Sequence, residues 1–312
     1  MDVYSDPEKH VLLKNNVKMP ILGLGTSHYG GFSGAAVQHA VRSCGCRHID
    51  TAKRYGVEAA IADAVQASGV PREEVFLATK CWPSDYGKTS TRAAFRGSCD
   101  RFRSDYIDMY LLHWPLVPSW CTDSKQLLSE TWRTLELLYD EERVRCIGVS
   151  NFDESDLLEL LSDPELSTTP HINQCEFHPF HNPIRIRDFC SQHHIQFEGY
   201  CPLGKGKILD DPVLVEMAKV YRKSVSQILI RWNIQQRVVC IPKSTKPERV
   251  EINSQVGMKV FDFSLSEEDM AKLSSLPQTL TIFDRQEIQS RVDNPLPDGY
   301  RLHYGSSLNN GT

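Results

Sequence analysis

Four side chains able to hold or move a proton occur in telling contexts along this chain. Asp50 and Tyr55 lie in Arg47-His48-Ile49-Asp50-Thr51-Ala52-Lys53-Arg54-Tyr55-Gly56. Lys80 ends Val75-Phe76-Leu77-Ala78-Thr79-Lys80, and His113 ends Ile107-Asp108-Met109-Tyr110-Leu111-Leu112-His113, ahead of Trp114-Pro115. A tyrosine hydroxyl beside a lysine ammonium and a neutral histidine is a proton donor able to work near neutral pH. Asp50, Lys80 and His113 stand at or just beyond the C-terminal ends of apolar segments that read as strands. In a barrel of parallel strands all such ends converge on one face, where active sites are built. Each residue alone is a weak signal, since a Lys after an apolar run is usually structural. Together, at the ends of consecutive strands, they describe one site.

The elements that would position them alternate steadily. Strands are expected at Ile21–Thr26, Arg47–Asp50, Val75–Lys80, Ile107–His113, Val144–Asn151, Ile172–Phe177, Gln196–Cys201 and Val238–Ser244. Many are apolar or β-branched throughout, as strands buried on both faces should be. Helices are expected at Gly34–Cys44, Val57–Ala67, Ser90–Phe102, Ser124–Leu138, Glu154–Leu161, Ile184–His193, Pro247–Ser254 and Leu265–Leu276, with Pro212–Gln235 long enough for two. Strand alternating with helix in this way implies an α/β fold, a (β/α)8 barrel rather than an open sheet. Ahead of it, His10 to Pro20 reads as a hairpin turning at Asn15-Asn16, because Asn tolerates the positive φ of a tight turn. No linker interrupts residues 1–312, so one domain is expected, with a core over about 10–277. The polar, proline-bearing tail over 278–312 reads as an extended loop whose last residues are disordered.

Composition narrows the class. Of the 312 residues, 40% are aliphatic, aromatic or Cys, which affords a large core without staples. A formal charge of -5 and a pI near 6.1 carry no footprint of nucleic-acid or anionic-membrane binding. No run approaches the roughly 18 apolar residues of a membrane helix, and Met1 to Asp6 has no secretory pattern. Ten scattered Cys fit reduced, buried thiols better than a disulfide framework. A cytoplasmic soluble protein, expected as a monomer, is the resulting class.

Several motifs fail on inspection. Ile21-Leu22-Gly23-Leu24-Gly25-Thr26 lacks the third glycine and the helix-opening spacing of a dinucleotide fingerprint. Gly199-Tyr200-Cys201-Pro202-Leu203-Gly204-Lys205-Gly206 has Gly206 where a phosphate loop needs Ser or Thr for magnesium. His178-Pro179-Phe180-His181 and His193-His194 lack the partners of a metal site, and surface or supporting roles are expected.

The sequence resembles the aldo-keto reductase family over about residues 10 to 277. The motifs that carry the resemblance are Gly45-Cys46-Arg47-His48-Ile49-Asp50-Thr51-Ala52, Leu111-Leu112-His113-Trp114-Pro115, Gly148-Val149-Ser150-Asn151-Phe152, Ile172-Asn173-Gln174 and Ile241-Pro242-Lys243-Ser244. It implies a single NADP(H)-binding barrel, capped at its N-terminal end by the hairpin, that reduces aldehydes and ketones without metal or flavin. Tyr55 would then be the proton donor, its phenol lowered by Lys80, which Asp50 holds as a buried ion pair. His113 would orient the substrate oxygen. The nicotinamide would stack on Tyr200, with Ser150, Asn151 and Gln174 on its carboxamide and Thr26, Asp50 and Leu203 also at the cofactor.

NADPH is the expected cofactor, because Lys243, Ser244, Thr245 and Arg249 match positions that hold the 2′-phosphate in the family. Asn253 matches an adenine contact, whereas Ile252 stands where many members carry Glu. Trp82 and Trp114 match positions lining the substrate pocket. Ser27-His28 replaces an aromatic wall of the better-known members. Arg54 stands where an apolar residue is common, either as a surface charge or as a polar mouth for carbonyls bearing an acid. The expected activity is NADPH-dependent carbonyl reduction on a small-molecule substrate. A regulatory or structural barrel that keeps the cofactor without useful turnover is the reading from another class, opposed by the intact Asp50, Tyr55, Lys80 and His113. An NAD-linked alcohol dehydrogenase is the third.

Overall fold

The computed structural model describes residues 9–27, 30–254 and 260–294. Among these, eight parallel strands form one sheet: β3 (Leu24–Gly25), β4 (His48–Asp50), β5 (Phe76–Cys81), β6 (Ile107–Leu112), β7 (Val144–Ser150), β8 (Ile172–Glu176), β9 (Gln196–Tyr200) and β10 (Val239–Ile241), neighbours in chain order. Parallel bridges Leu22 to Cys240 and Gly25 to Lys243 join the first strand to the last and close the barrel. The first and last strands are shorter than the sequence suggested. Pro242, which has no N–H, ends β10 beyond Ile241.

Each strand alternates inward and outward side chains, and the alternation builds two cores. Leu77, Cys81, Tyr110, Leu112, Ile147 and Val149 point outward into the layer beneath the helices. Phe76, Ala78, Met109, Leu111, Cys146 and Ile172 point inward, where they meet Val11, Leu13, Met19 and Ile21. The last four belong to or flank the hairpin β1 (His10–Leu12) and β2 (Lys18–Pro20), which turns at Asn16 with φ 63°. This hairpin plugs the N-terminal end of the barrel. Two residues further along the strands the inward positions become polar: Asp50, Lys80, His113, Ser150, Gln174, Glu176, Glu198 and Tyr200. Parallel register sets Ser150 level with Gln174 and Glu176 level with Tyr200, while Lys80 stands opposite the apolar Leu111 at the boundary with the plug.

The expected helices are present, with ends shifted by a few residues. The long stretch after β9 is two helices, α7 (Pro212–Tyr221) and α8 (Val225–Gln235), parted by the left-handed Arg222 and a capping box at Ser224 and Gln227. The tail corrects an expectation. Residues 278–284 are irregular, but Arg285–Asp293 is a helix, α11, not loop. Asp284 caps it, Glu287 pairs with Arg291 one turn on, and Ile288 and Val292 are buried against Trp82 and Trp114. The expected disorder at the chain's end falls on 295–312, outside the described residues.

Gly148 marks where the barrel wall is tightest. A Cβ there would lie 2.5 Å from the Ile172 carbonyl oxygen and 2.9 Å from the Leu111 side chain. Gly148→Ala is expected to cost about 1–3 kcal/mol as overpacking and to lower the melting temperature by several degrees. A melt followed by tryptophan fluorescence that stays unshifted would show that β7 and β8 can part without cost.

Candidate active site

The polar inward positions form the floor of a cavity of about 770 Å³. At its base Lys80 and Asp50 are 1% and 3% exposed. The Lys80 ammonium donates to Asp50 Oδ1 and Oδ2 at 2.8 and 2.6 Å and to the Thr51 carbonyl at 2.8 Å. Each ammonium proton thus has an acceptor, which an ion buried this deeply requires. Tyr55 follows on a 3-10 turn, Lys53–Tyr55, that Gly56 closes in the left-handed region at φ 69°. Its ring centre lies 5.7 Å from the Lys80 ammonium and 5.7 Å, edge-on, from the His113 ring.

His113 is the first residue beyond β6. Its N–H donates to the Cys81 carbonyl at 3.0 Å, and its own carbonyl accepts from Asn151 Nδ2 at 2.9 Å. Trp82 meets His113 edge-on at 5.1 Å, and the Arg54 guanidinium lies 5.0 Å from the centre of the Trp82 ring. Arg54 therefore faces the cavity, which Tyr55, Trp82, His113 and Trp114 also line. Lys80 does not line it and lies beneath, paired with Asp50 and under Tyr55.

Gln174 sits beside the ion pair. Its amide nitrogen donates to Asp50 Oδ2 and to Glu198 Oε2, both at 2.9 Å. Both amide protons are thereby used, and Oε1 remains as the acceptor available to the cavity. Burial, then the Asp50 charge, pushes the Glu198 carboxyl up to about 8. Burial, then the Lys80 charge, pulls His48 down to about 3. Both shifts favour the neutral forms, which weakens any ion pairing across their 3.6 Å contact. Beyond Gln174 runs a second chain. Ser150 Oγ donates to the Gln174 carbonyl at 2.8 Å, Asn151 Nδ2 to Ser150 Oγ at 3.0 Å, and the Tyr200 hydroxyl to Asn151 Oδ1 at 2.7 Å. Burial, first of several causes, raises the Tyr200 phenol well above its ordinary range, so it stays neutral.

The opposite end of the cavity is lined by Lys243, Ser244, Thr245, Arg249 and Asn253, with Leu203 nearby. Half-burial lowers the Lys243 ammonium from its ordinary 10.5, a cost that a bound anion would offset. Asn253 is buried, and among the described residues its Oδ1 has no hydrogen-bond partner. A donor-bearing ring such as adenine would satisfy it. Thr26, expected at the cofactor, does not line the cavity; its hydroxyl donates to the Asp50 carbonyl at 2.8 Å and ties β3 to β4. Ser27 lines the wall, while His28 lies outside the described residues.

Several lining residues were not singled out from sequence. Lys205, Lys246, Phe283, Ile288 and Arg291 all face the cavity. With Arg54, Lys243 and Arg249 they give it a strongly cationic wall, against Asp50 as the lining carboxylate among the described residues. Glu176 was missed as well. Its carboxylate accepts from the Ile282 N–H at 2.8 and 2.9 Å, from the Phe283 N–H at 3.3 Å and from His178 Nε2 at 3.0 Å. That grip draws Phe283 across Tyr200, edge-on at 5.8 Å, and leads into α11. A usable signal existed for Glu198 and Glu176, since both are carboxylates inside otherwise buried strands. His178 is buried and serves Glu176, whereas His193 and His194 are exposed.

The sequence pattern of the Aldo/keto reductase family matches residues 22–277. An uncharacterized oxidoreductase of Caenorhabditis elegans is 47% identical over 94% of this chain and 88% of its own length. A glyoxal reductase of Bacillus subtilis is 42% identical over 85% of this chain and 92% of its own. A 9,11-endoperoxide prostaglandin H2 reductase of Trypanosoma cruzi is 41% identical over 93% and 96%. Among solved structures, an aldo-keto reductase from a deep-sea metagenome library superposes with a TM-score of 0.80 at 38% identity, covering 88% of this chain and 97% of its own.

The Glu198 carboxyl makes a testable demand on pH. Its ordinary value is 4.5 and its value in the fold about 8. Between the two, the fold keeps a proton that the unfolded chain has released, so stability falls as pH rises through that window and levels above it. Glu198→Gln removes the effect, and the variant is expected to gain on the wild type from pH 5 to pH 8. Denaturation midpoints at a series of pH values measure it. A difference that does not vary with pH would mean that the folded carboxyl is ionised.

Proposed function

Because the chain belongs to the aldo/keto reductase family, we propose that it is an NADPH-dependent carbonyl reductase acting on small aldehydes and ketones, with Tyr55 as proton donor. The observation that carries this reading is the convergence of Tyr55 and His113 over the buried Lys80–Asp50 pair on the floor of one cavity. When bound, a reduced nicotinamide supplies the hydride to the carbonyl carbon. Tyr55 gives its hydroxyl proton to the carbonyl oxygen, and Lys80 beneath its ring stabilises the phenolate left behind. His113 holds the oxygen in position. Gln174 Oε1 accepts from the carboxamide, and Tyr200 offers its ring face to the nicotinamide. Cys81, Asn151 and Trp82 hold His113 in place and so fix where the oxygen sits.

Cofactor preference follows from charge. Lys243, with Lys246 and Arg249 on the following turn, gathers cations around the residues that would receive the 2′-phosphate. The partially desolvated Lys243 gains most from a dianion. The reductase names of the Bacillus and Trypanosoma relatives agree with reduction as the working direction. We place the enzyme in the cytoplasm, where ten unpaired cysteines stay reduced, and take it to act as a monomer.

Tyr55→Phe is expected to lower kcat for aldehyde reduction by 10²–10⁴-fold, the typical worth of general acid catalysis, with little change in NADPH affinity. Retention of more than about a tenth of the wild-type kcat would remove Tyr55 from the role. Arg249→Leu should weaken NADPH by about 1.5 kcal/mol, the low end for a hydrogen bond to a charged group because the side chain is exposed, and leave NADH nearly unaltered. Fluorescence titration with both cofactors decides it; equal losses would mean that Arg249 does not read the phosphate.

A further inference from the structure

The end of the cavity away from Lys243 has its own chemistry. Trp82 and Trp114 form its walls, and Ile288 and Val292 of α11 close it. Trp82 is 6% exposed, yet among the described residues its indole Nε1–H has no hydrogen-bond partner. A buried donor without an acceptor is costly, so the site favours a ligand that brings one. The Arg54 guanidinium lies over the same indole at 5.0 Å, and that indole touches His113 at 5.1 Å. Arg291, on the helix that closes the pocket, lines the cavity too, although Glu287 pairs with it.

We propose that Arg54 and the Trp82 indole N–H form a carboxylate subsite, and that the preferred substrates are aldehydes or ketones carrying a carboxylate on a short or aromatic skeleton. The inference rests on the carbonyl-reductase reading above and names its substrate class. Stacking on Trp82 engages the π-face of the guanidinium, while a carboxylate binds its N–H edge, so the two contacts coexist. Only two ring contacts separate the guanidinium from His113. A substrate therefore spans from Tyr55 and His113 to Arg54 with a few carbons or one benzene ring. The walls of Trp82, Trp114 and Ile288 suit such a skeleton.

The test compares para-carboxybenzaldehyde with its methyl ester, which has nearly the same shape and no charge. The wild type should favour the acid by about tenfold or more in kcat/KM, as expected for a charge-assisted hydrogen bond. Arg54→Gln should erase that preference, mainly through KM for the acid, and Arg54→Lys should restore part of it. A preference that survives Arg54→Gln, or parallel losses on both aldehydes, would overturn the subsite and leave Arg54 as a prop for Trp82. Failure of the wild type to reduce either aldehyde would instead overturn the reductase reading. The subsite is then judged by calorimetry with para-hydroxymethylbenzoate and its methyl ester. A selective loss of acid binding in Arg54→Gln upholds the subsite, and equal binding in both proteins rejects it.

Discussion

An ammonium and a carboxylate buried on a barrel axis each forfeit several kcal/mol of hydration, and they recover it only through near-ideal geometry and a full set of hydrogen bonds. The Lys80–Asp50 pair meets that demand, and much of the upper barrel is arranged to let it do so. Thr51 takes the third ammonium proton and Gln174 donates to the carboxylate. Gln174 is in turn steadied by Glu198, whose carboxyl burial and the Asp50 charge push towards the protonated form. Were Glu198 ionised, two carboxylates would flank one amide and compete for Lys80. Its neutrality is thus part of what keeps the charge count at the floor balanced.

The gradient along the barrel axis serves the same end. The hairpin and the lower inward residues form a dry plug of Met19, Ile21, Phe76, Met109 and Ile172. These residues are buried, so among the described residues the pair meets open space on the cavity side, at Asp50. A low-dielectric base strengthens the hold of Lys80 on any negative charge that develops above it. The plug and Tyr55 are therefore linked through the dielectric of the floor between them.

Much of this was legible in the sequence because its physics is local. Apolar runs ending in Asp50, Lys80 and His113 announced strands with polar tips, and the Asn15-Asn16 pair announced the hairpin turn. The end of the chain was harder. The signal for α11 is only Asp284 ahead of Glu287 with Ile288 and Val292 a turn apart, set between proline-bearing segments, and its stability comes from packing on Trp82 and Trp114, which lie far away in sequence. The role of Thr26 in the wall was hidden for a related reason. The family resemblance put it at the cofactor, and the tie its hydroxyl makes to the neighbouring strand is one no local pattern encodes. Whether Arg54 faces in or out depends on Trp82 being under it, a contact no local pattern encodes.

Glu176 holds the chain after Leu280 through the main-chain N–H groups of Ile282 and Phe283 rather than through their side chains. A clasp on the backbone is blind to sequence. The side chains at Ile282 and Phe283 can change without loosening this clasp, whereas α11 adds its own hold through Ile288 and Val292 on Trp82 and Trp114. The two holds differ in what they tolerate: the backbone clasp survives a change of side chain, as a handle survives a change of tool head, while the packed face of α11 does not.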